Sequence, residues 1–251
     1  AEELTAAVAD RQVAGGLVLG TERLEVYTAT AAGPSAAGAI TALGNGVAAQ
    51  QGGTATVTDL APFPADDPRG AGFAAAALPL LIAGILPAVG LLRLFPGHQA
   101  LRTRLLGAAL FALIAGASVA AYLQYFTGTL AGSYWANAAT LSLGMAALSF
   151  TFLGLESLLG WPGLGLGVAI VMLLGNPLSA IASGPYWLPD GWSTLGQLLP
   201  PGATGTLLRS TAYFDGANAT QPALTLAAWV LLGLTLAVVA DKRAPRSQPH
   251  A

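Results

Sequence analysis

Few side chains in this sequence have chemistry to offer a ligand, and their placement limits what that chemistry is. Glu156 is the one acid set well inside a long apolar stretch. An acid in such a place marks an ion or substrate path, or it reaches the interface or pairs with a neighbour. Asn176-Pro177-Leu178-Ser179 combines a residue that removes a backbone donor with two polar side chains that can satisfy the freed carbonyls. It reads as a structural helix break or as a break lining a substrate path. Arg209 stands close to Tyr213, Phe214 and Asp215, a setting in which a guanidinium anchors at lipid headgroups or holds an acidic lipid group. His98, Arg102 and Arg104 crowd a short connection. Gly163-Leu164-Gly165-Leu166-Gly167 is followed by no Gly-Lys-Ser/Thr, so it is no Walker-type phosphate cradle. Close helix packing through small residues explains it better.

These residues do not assemble into a catalyst. The two histidines, His98 and His250, have no serine and acid to complete a triad, and no cluster of acids and histidines fits a metal. No cysteine is present, which removes disulfides, thiolate metal sites and cysteine nucleophiles. The expectation is a protein without enzymatic activity, cofactor or resident metal. A net charge of −2 and no basic run longer than Lys242–Arg243 give no sign of a nucleic-acid partner.

The elements that position these residues follow from how charge is distributed. Charged residues make up 9% of the 251 and apolar ones 54%, against roughly 25% charge in ordinary soluble domains. Eleven of the charged side chains fall in residues 1–70, and only seven in residues 71–240. So long a stretch with so little charge needs a lipid solvent. A bilayer core about 30 Å thick takes roughly 20 apolar residues as a helix. Five segments fit: 72–95, 104–126, 138–160, 163–184 and 222–240. The fold expected is mainly α, a polytopic membrane bundle of about five spans behind a small N-terminal α/β domain.

Within that domain, residues 1–70, Glu2–Asp10 suits a short helix. Val13–Leu19 and Leu24–Thr30 flank Gly20-Thr21-Glu22-Arg23 as a hairpin. Ser35–Gln50 is helical in character, with Ser35 as its N-cap, and Thr54–Leu60 is a third strand. Pro62, Pro64, Pro68 and Gly70 form a stiff linker carrying Asp66 and Asp67. So small a unit buries little core alone and is expected to pack on something else.

Orientation follows from lysine and arginine placement. Arg93, Arg102 and Arg104 surround the connection after the first span, and Lys242, Arg243 and Arg246 lie at the end of the fifth. The expectation is a multi-pass protein with residues 1–70 extracytoplasmic and the tail, 244–251, cytoplasmic. Trp161-Pro162-Gly163 reads as a tight turn between spans three and four. Residues 185–221, with Trp187, Trp192, Arg209 and Tyr213 among short leucine runs, are too apolar for a solvated loop. They are expected at the outer interface or dipping into the membrane behind protein. One lysine against nine arginines, with abundant alanine and glycine, reads as the bias of a GC-rich genome, so a bacterial plasma membrane is expected. The first residue is alanine, and the chain reads as processed or truncated.

Gly175-Asn176-Pro177-Leu178-Ser179, Leu188-Pro189-Asp190-Gly191-Trp192, Leu199-Pro200-Pro201-Gly202 and Leu208-Arg209-Ser210-Thr211-Ala212-Tyr213-Phe214 stand in series. Their order resembles the last third of type-2 ABC exporter permeases, especially actinobacterial relatives of the phage-infection-protein family. Val8-Ala9-Asp10-Arg11-Gln12-Val13, Gly16-Leu17-Val18-Leu19 and Pro64-Ala65-Asp66-Asp67-Pro68-Arg69-Gly70 are similar to the extracytoplasmic domain and linker of those relatives. The resemblance covers most of the chain and implies six spans, the first of them absent here. It implies a separate ATPase docking at the loop with His98, Arg102 and Arg104, a re-entrant segment over Leu188–Phe214, and access formed between two copies. The activity it implies is export of an amphiphilic or envelope-related substrate. A non-transporting envelope protein with an outer ligand- or partner-binding domain, and a scaffold within a larger assembly, remain as alternatives.

Overall fold

A computed structural model of the chain describes residues 1–20, 23–97 and 100–243. His98 of the basic connection, Thr21 and Glu22 of the hairpin turn, and the tail 244–251 lie outside the described residues. The order is α1 (Glu2–Ala9), β1 (Gly15–Leu19), β2 (Leu24–Thr28), α2 (Pro34–Gln50) and β3 (Ala55–Asp59), then helices to the end of the described chain. β1 and β2 pair antiparallel with Leu17 opposite Val26, and β3 joins β2 in parallel with Val57 opposite Val26. A parallel pair needs a long crossover, and α2 supplies it. Leu24 and Val26 are buried while Glu25 between them is exposed, the period of two that a half-covered strand requires. α2 lies close because Gly44 abuts the Val26 side chain.

Ser35 is not the N-cap of α2. Gly33 holds that place and Pro34 opens the helix; proline suits the first turn, where its missing N–H would be orphaned anyway and its φ is already helical. In the linker, Asp67 accepts hydrogen bonds from the Ala71 and Gly72 amides at 2.8 and 2.9 Å. It thereby caps α3 (Ala71–Ala75).

Five helices are long and apolar enough to cross a membrane: Ala71–Leu94, Leu101–Phe126, Tyr134–Leu159, Trp161–Leu178 and Thr220–Arg243. The protein is therefore read as a membrane protein. The first joins α3 to α4 (Ala77–Leu94). The second is α5 (Leu101–Ala121), closed by a π-turn at Tyr122–Phe126. The third, α6 (Tyr134–Leu159), is the axis of the bundle. Of its most apolar window 78% is buried, against 22–39% in the other four. Around α6 pack α4, α5, α7 (Trp161–Ile170), α10 (Pro200–Tyr213) and α11 (Thr220–Arg243). Small residues let backbones meet at these crossings. Gly233 of α11 abuts the Phe150 carbonyl of α6, and Gly116 of α5 abuts Ser142.

The turn between the third and fourth long helices differs from the one expected. Gly160 makes it with φ +69°, and Trp161 and Pro162 already belong to α7, because proline starts a helix well. Gly163 then abuts the Leu155 carbonyl and Gly167 the Leu155 and Phe152 side chains, whereas Gly165 faces open space. The glycine run thus serves close packing.

The fourth long helix ends at Leu178, short of the expected Gly184. Pro177 has no N–H to give, and its ring would clash with the carbonyl four residues back. A π-turn, Val171–Gly175, takes up the misfit before the short α8 (Asn176–Leu178), as such bulges do inside α-helices. Residues 185–221 are mostly helical: a 3-10 turn at Pro185–Trp187, α9 (Trp192–Leu198), and α10.

Candidate functional site

α9 and α10 form a broken hairpin that enters the bundle and returns. Leu199 between them is extended (φ −91°, ψ 147°), and Pro200-Pro201 open α10. The tip reaches the middle of the bundle. Pro201 and Thr204 share a small crevice with Gly144 and Leu148 of α6, and Ala203 and Leu207 pack on Ala147 and Leu226. α9 is held by the Trp229 indole, which donates to the Leu198 carbonyl at 2.8 Å. Nearly all of α10 is buried, which its Gly-, Ala- and Thr-rich face permits.

At its other end α10 carries Arg209, and here the sequence-based expectation needs correction. Arg209 is no headgroup anchor: it is 0% exposed. Its Nε donates to the Ala31 carbonyl at 3.1 Å and its Nη2 to the Ile181 carbonyl. Its guanidinium lies over the Phe73 ring, 4.7 Å from the centroid. Ala31 follows β2, Ile181 follows α8 and Phe73 is in α3, so one side chain ties three separate segments to α10. Arg11, which the sequence reading left unassigned, comes to the same helix. It donates through Nη1 to the Thr206 carbonyl at 3.0 Å and to the Ser210 hydroxyl, over the Phe214 ring at 5.2 Å. Its own carbonyl accepts from the Tyr186 hydroxyl at 3.1 Å. Desolvation pushes the Arg11 guanidinium below its ordinary range, partly opposed by Tyr186.

No acid pairs with either arginine among the described residues, and Arg11 Nε and Arg209 Nη1 are buried without a partner. Carbonyl oxygens, the Ser210 hydroxyl and aromatic faces hold the two cations. Tyr213 completes the seam: its hydroxyl donates to the Thr129 carbonyl at 2.8 Å, and Phe63 meets its ring edge-on at 5.4 Å. Val8, Ala29, Ala31, Ala61, Phe63 and Phe214 form one buried cluster, so the sheet unit shares its core with the segment after α10. Trp187 and Trp192, by contrast, are 56% and 52% exposed.

The Asn176–Ser179 break lies near this seam. The Ser179 hydroxyl donates to the Asn176 carbonyl at 2.6 Å, which also accepts from the Ser179 amide at 3.3 Å. Asn176, Pro177 and Ser179 line a groove of about 420 Å³ closed on its far side by Ala74 and Leu78. Glu156 is not part of it. It sits at the opposite end of the bundle and pairs with Arg104 at 3.5 Å, the two side chains 17% and 8% exposed. Arg104 also donates to the Phe95 and Gly97 carbonyls at 2.7 and 3.1 Å. Its guanidinium thus closes the connection between α4 and α5, leaving Arg102 exposed beside it. Arg93, over the Trp161 ring at 5.6 Å, and the last turn of α11 with Lys242 and Arg243 make this end basic.

The sequence-predicted residues therefore divide. Asn176, Pro177, Ser179, Arg209 and Tyr213 gather where the sheet unit meets α10, while Glu156, Arg102 and Arg104 gather at the basic end. Arg11 could have been suspected only as a cation in an otherwise short amphipathic stretch, because its partners are about 195 residues away. No protein-family model, curated protein or solved structure matches the chain.

Proposed function

We propose that this chain is a permease-like membrane subunit of an ABC-type exporter, working with a separate ATPase on an amphiphilic or envelope-related substrate. The observation that carries the reading is the broken hairpin α9–α10, whose second arm α10 is buried against α6 at mid-bundle beside a π-bulged, proline-broken helix. Non-helical backbone at membrane depth is tolerated where it is covered by protein or lines a path, and discontinuous helices at the midplane are where transporters build their sites. The motif order resembling type-2 exporter permeases runs through these same elements. On this reading the basic end faces the cytoplasm, the sheet unit is extracytoplasmic, and two copies form the path. The ATPase would meet the α4–α5 connection, at Arg102 rather than at Arg104, which is already engaged by Glu156.

The rival, a membrane-anchored envelope receptor, expects an outer domain that is independent of its anchor. The shared core at Phe63 and Phe214 favours mechanical coupling instead. Purification from native membranes tests the proposal. A stoichiometric ATPase should accompany the chain and be lost in Arg102→Glu. Its consistent absence from the purified complex defeats the exporter reading. Reporter fusions at residue 60 test sidedness, and a cytoplasmic signal there reverses it.

A further inference from the structure

A groove of about 660 Å³ lies between α11 and the end of α9, within the roughly 300–1,000 Å³ range of small-molecule sites. Its lining changes character along its length. At one end stand Asn218, Thr220 and Gln221; along the rest run Leu224, Trp229 and Leu232, faced by Leu198. The polar groups within the apolar part are already used. Trp229 Nε1 donates to the Leu198 carbonyl at 2.8 Å, and the Thr225 hydroxyl donates to the Gln221 carbonyl at 3.0 Å. The side chains of Asn218, Thr220 and Gln221 make no hydrogen bond among the described residues, and Asn218 and Gln221 are each able to donate and accept. No residue lining the groove is charged. The nearest ionisable residue in sequence, exposed Asp215, is negative.

We infer that this groove binds a single membrane amphiphile with an uncharged, hydroxyl-bearing head. The head would sit at Asn218–Gln221 and the hydrocarbon along Leu224–Leu232. From Gln221 to Leu232 the α-helix rises about 16 Å, roughly half the 30 Å apolar thickness of a bilayer. The groove therefore matches one leaflet of a lipid. A flat helix face would hold lipid only by contact; here Leu198 of the re-entrant hairpin supplies a second wall. An anionic phospholipid head would meet no cation among the lining residues. The inference rests on the exporter reading for the groove's role as the lateral access point of the substrate, whereas binding itself does not require transport.

The test uses the chain in nanodiscs without any ATPase. Trp135, Trp161, Trp187 and Trp192, all more than half exposed, are replaced by phenylalanine so that Trp229 reports alone. Acyl-brominated glucosyl-diacylglycerol and acyl-brominated phosphatidylglycerol are compared as quenchers at equal mole fraction. The glycolipid should quench at about tenfold lower mole fraction, as two ordinary hydrogen bonds would give. Asn218→Ala with Gln221→Ala should abolish the difference. Equal quenching by both lipids, or preference for the phosphatidylglycerol, overturns the proposal; so does a glycolipid preference that survives the double substitution. Native mass spectrometry of the unsubstituted chain with the same two lipids, unbrominated, checks the result without altering any tryptophan. Failure here with an ATPase still recovered refutes the groove alone, and success without an ATPase refutes the exporter alone.

Discussion

Replacing Arg209 by methionine removes the side chain that ties the sheet unit to the bundle while keeping much of its volume. Two buried carbonyls, those of Ala31 and Ile181, then lose their donor. Leaving a buried polar group unsatisfied costs about 1–3 kcal/mol each. Loss of a desolvated cation–π contact with Phe73 adds about 2 kcal/mol. Against this, a buried cation with no acid partner carries a desolvation penalty, which the substitution relieves by a few kcal/mol. The net expectation is a loss of about 3 kcal/mol, concentrated at the seam. Arg209→Lys should recover only part of it, since an ammonium lacks the planar fork that reaches two carbonyls at once. The chain has no cysteine, so single reporters are available. Cysteine at Val8, 1% exposed in the shared core, and at Met145, 1% exposed in the bundle, should both resist maleimide in the parent. In Arg209→Met the Val8 reporter should label readily and the Met145 reporter should stay protected. If both remain protected and thermal stability in nanodiscs is unchanged, the arginine is not what joins the sheet unit to α10.

Four further substitutions test the ion pair, the spans and the helix crossings. Glu156→Gln should destabilise by about 2 kcal/mol by leaving the buried Arg104 without its counter-charge, and a double-mutant cycle with Arg104→Gln should show coupling; additivity would show that the 3.5 Å pair contributes nothing. Arginine at Leu113, 62% exposed on α5, should cost about 3 kcal/mol of insertion at mid-bilayer, read by glycosylation-mapped insertion; a neutral result would argue that α5 does not span. Gly233→Ala puts a methyl against the Phe150 carbonyl and should cost about 1–3 kcal/mol by overpacking in thermal unfolding. Gly165→Ala, which meets open space, should be tolerated.

The periodic and compositional features were readable because they depend on near neighbours. Alternation around Leu24–Val26 specifies a strand, and the loss of charge after Gly70 specifies helices that need lipid. The proline at 177 announces a break. What local pattern did not give was the length of chain the break removes: the helix stops at Leu178 because a π-turn absorbs the misfit before the proline does. Trp161-Pro162-Gly163 looked like a turn because proline ends helices as readily as it starts them. The deciding residue was Gly160, the one able to take positive φ.

For the candidate site the division is sharper. Sequence alone marked Arg209 as an interfacial cation, since arginine beside Tyr213 and Phe214 in a leucine-rich segment usually lies at headgroups. Burial reversed that meaning, and burial depends on residues 31, 73 and 181, which no window around 209 contains. Glu156 looked isolated in sequence and is not, because its partner lies 52 positions earlier on an adjacent helix. Arg11 stood out only as a cation in a short amphipathic stretch, with nothing nearby in sequence to show its partners, Thr206 and Ser210. The sequence by itself determined that the chain is largely helical, that five segments need an apolar solvent, and where the helix breaks. Only the tertiary structure decided which cations are buried and what holds them. Burial of a charge is set by the whole surrounding shell, and that shell is assembled from segments far apart along the chain.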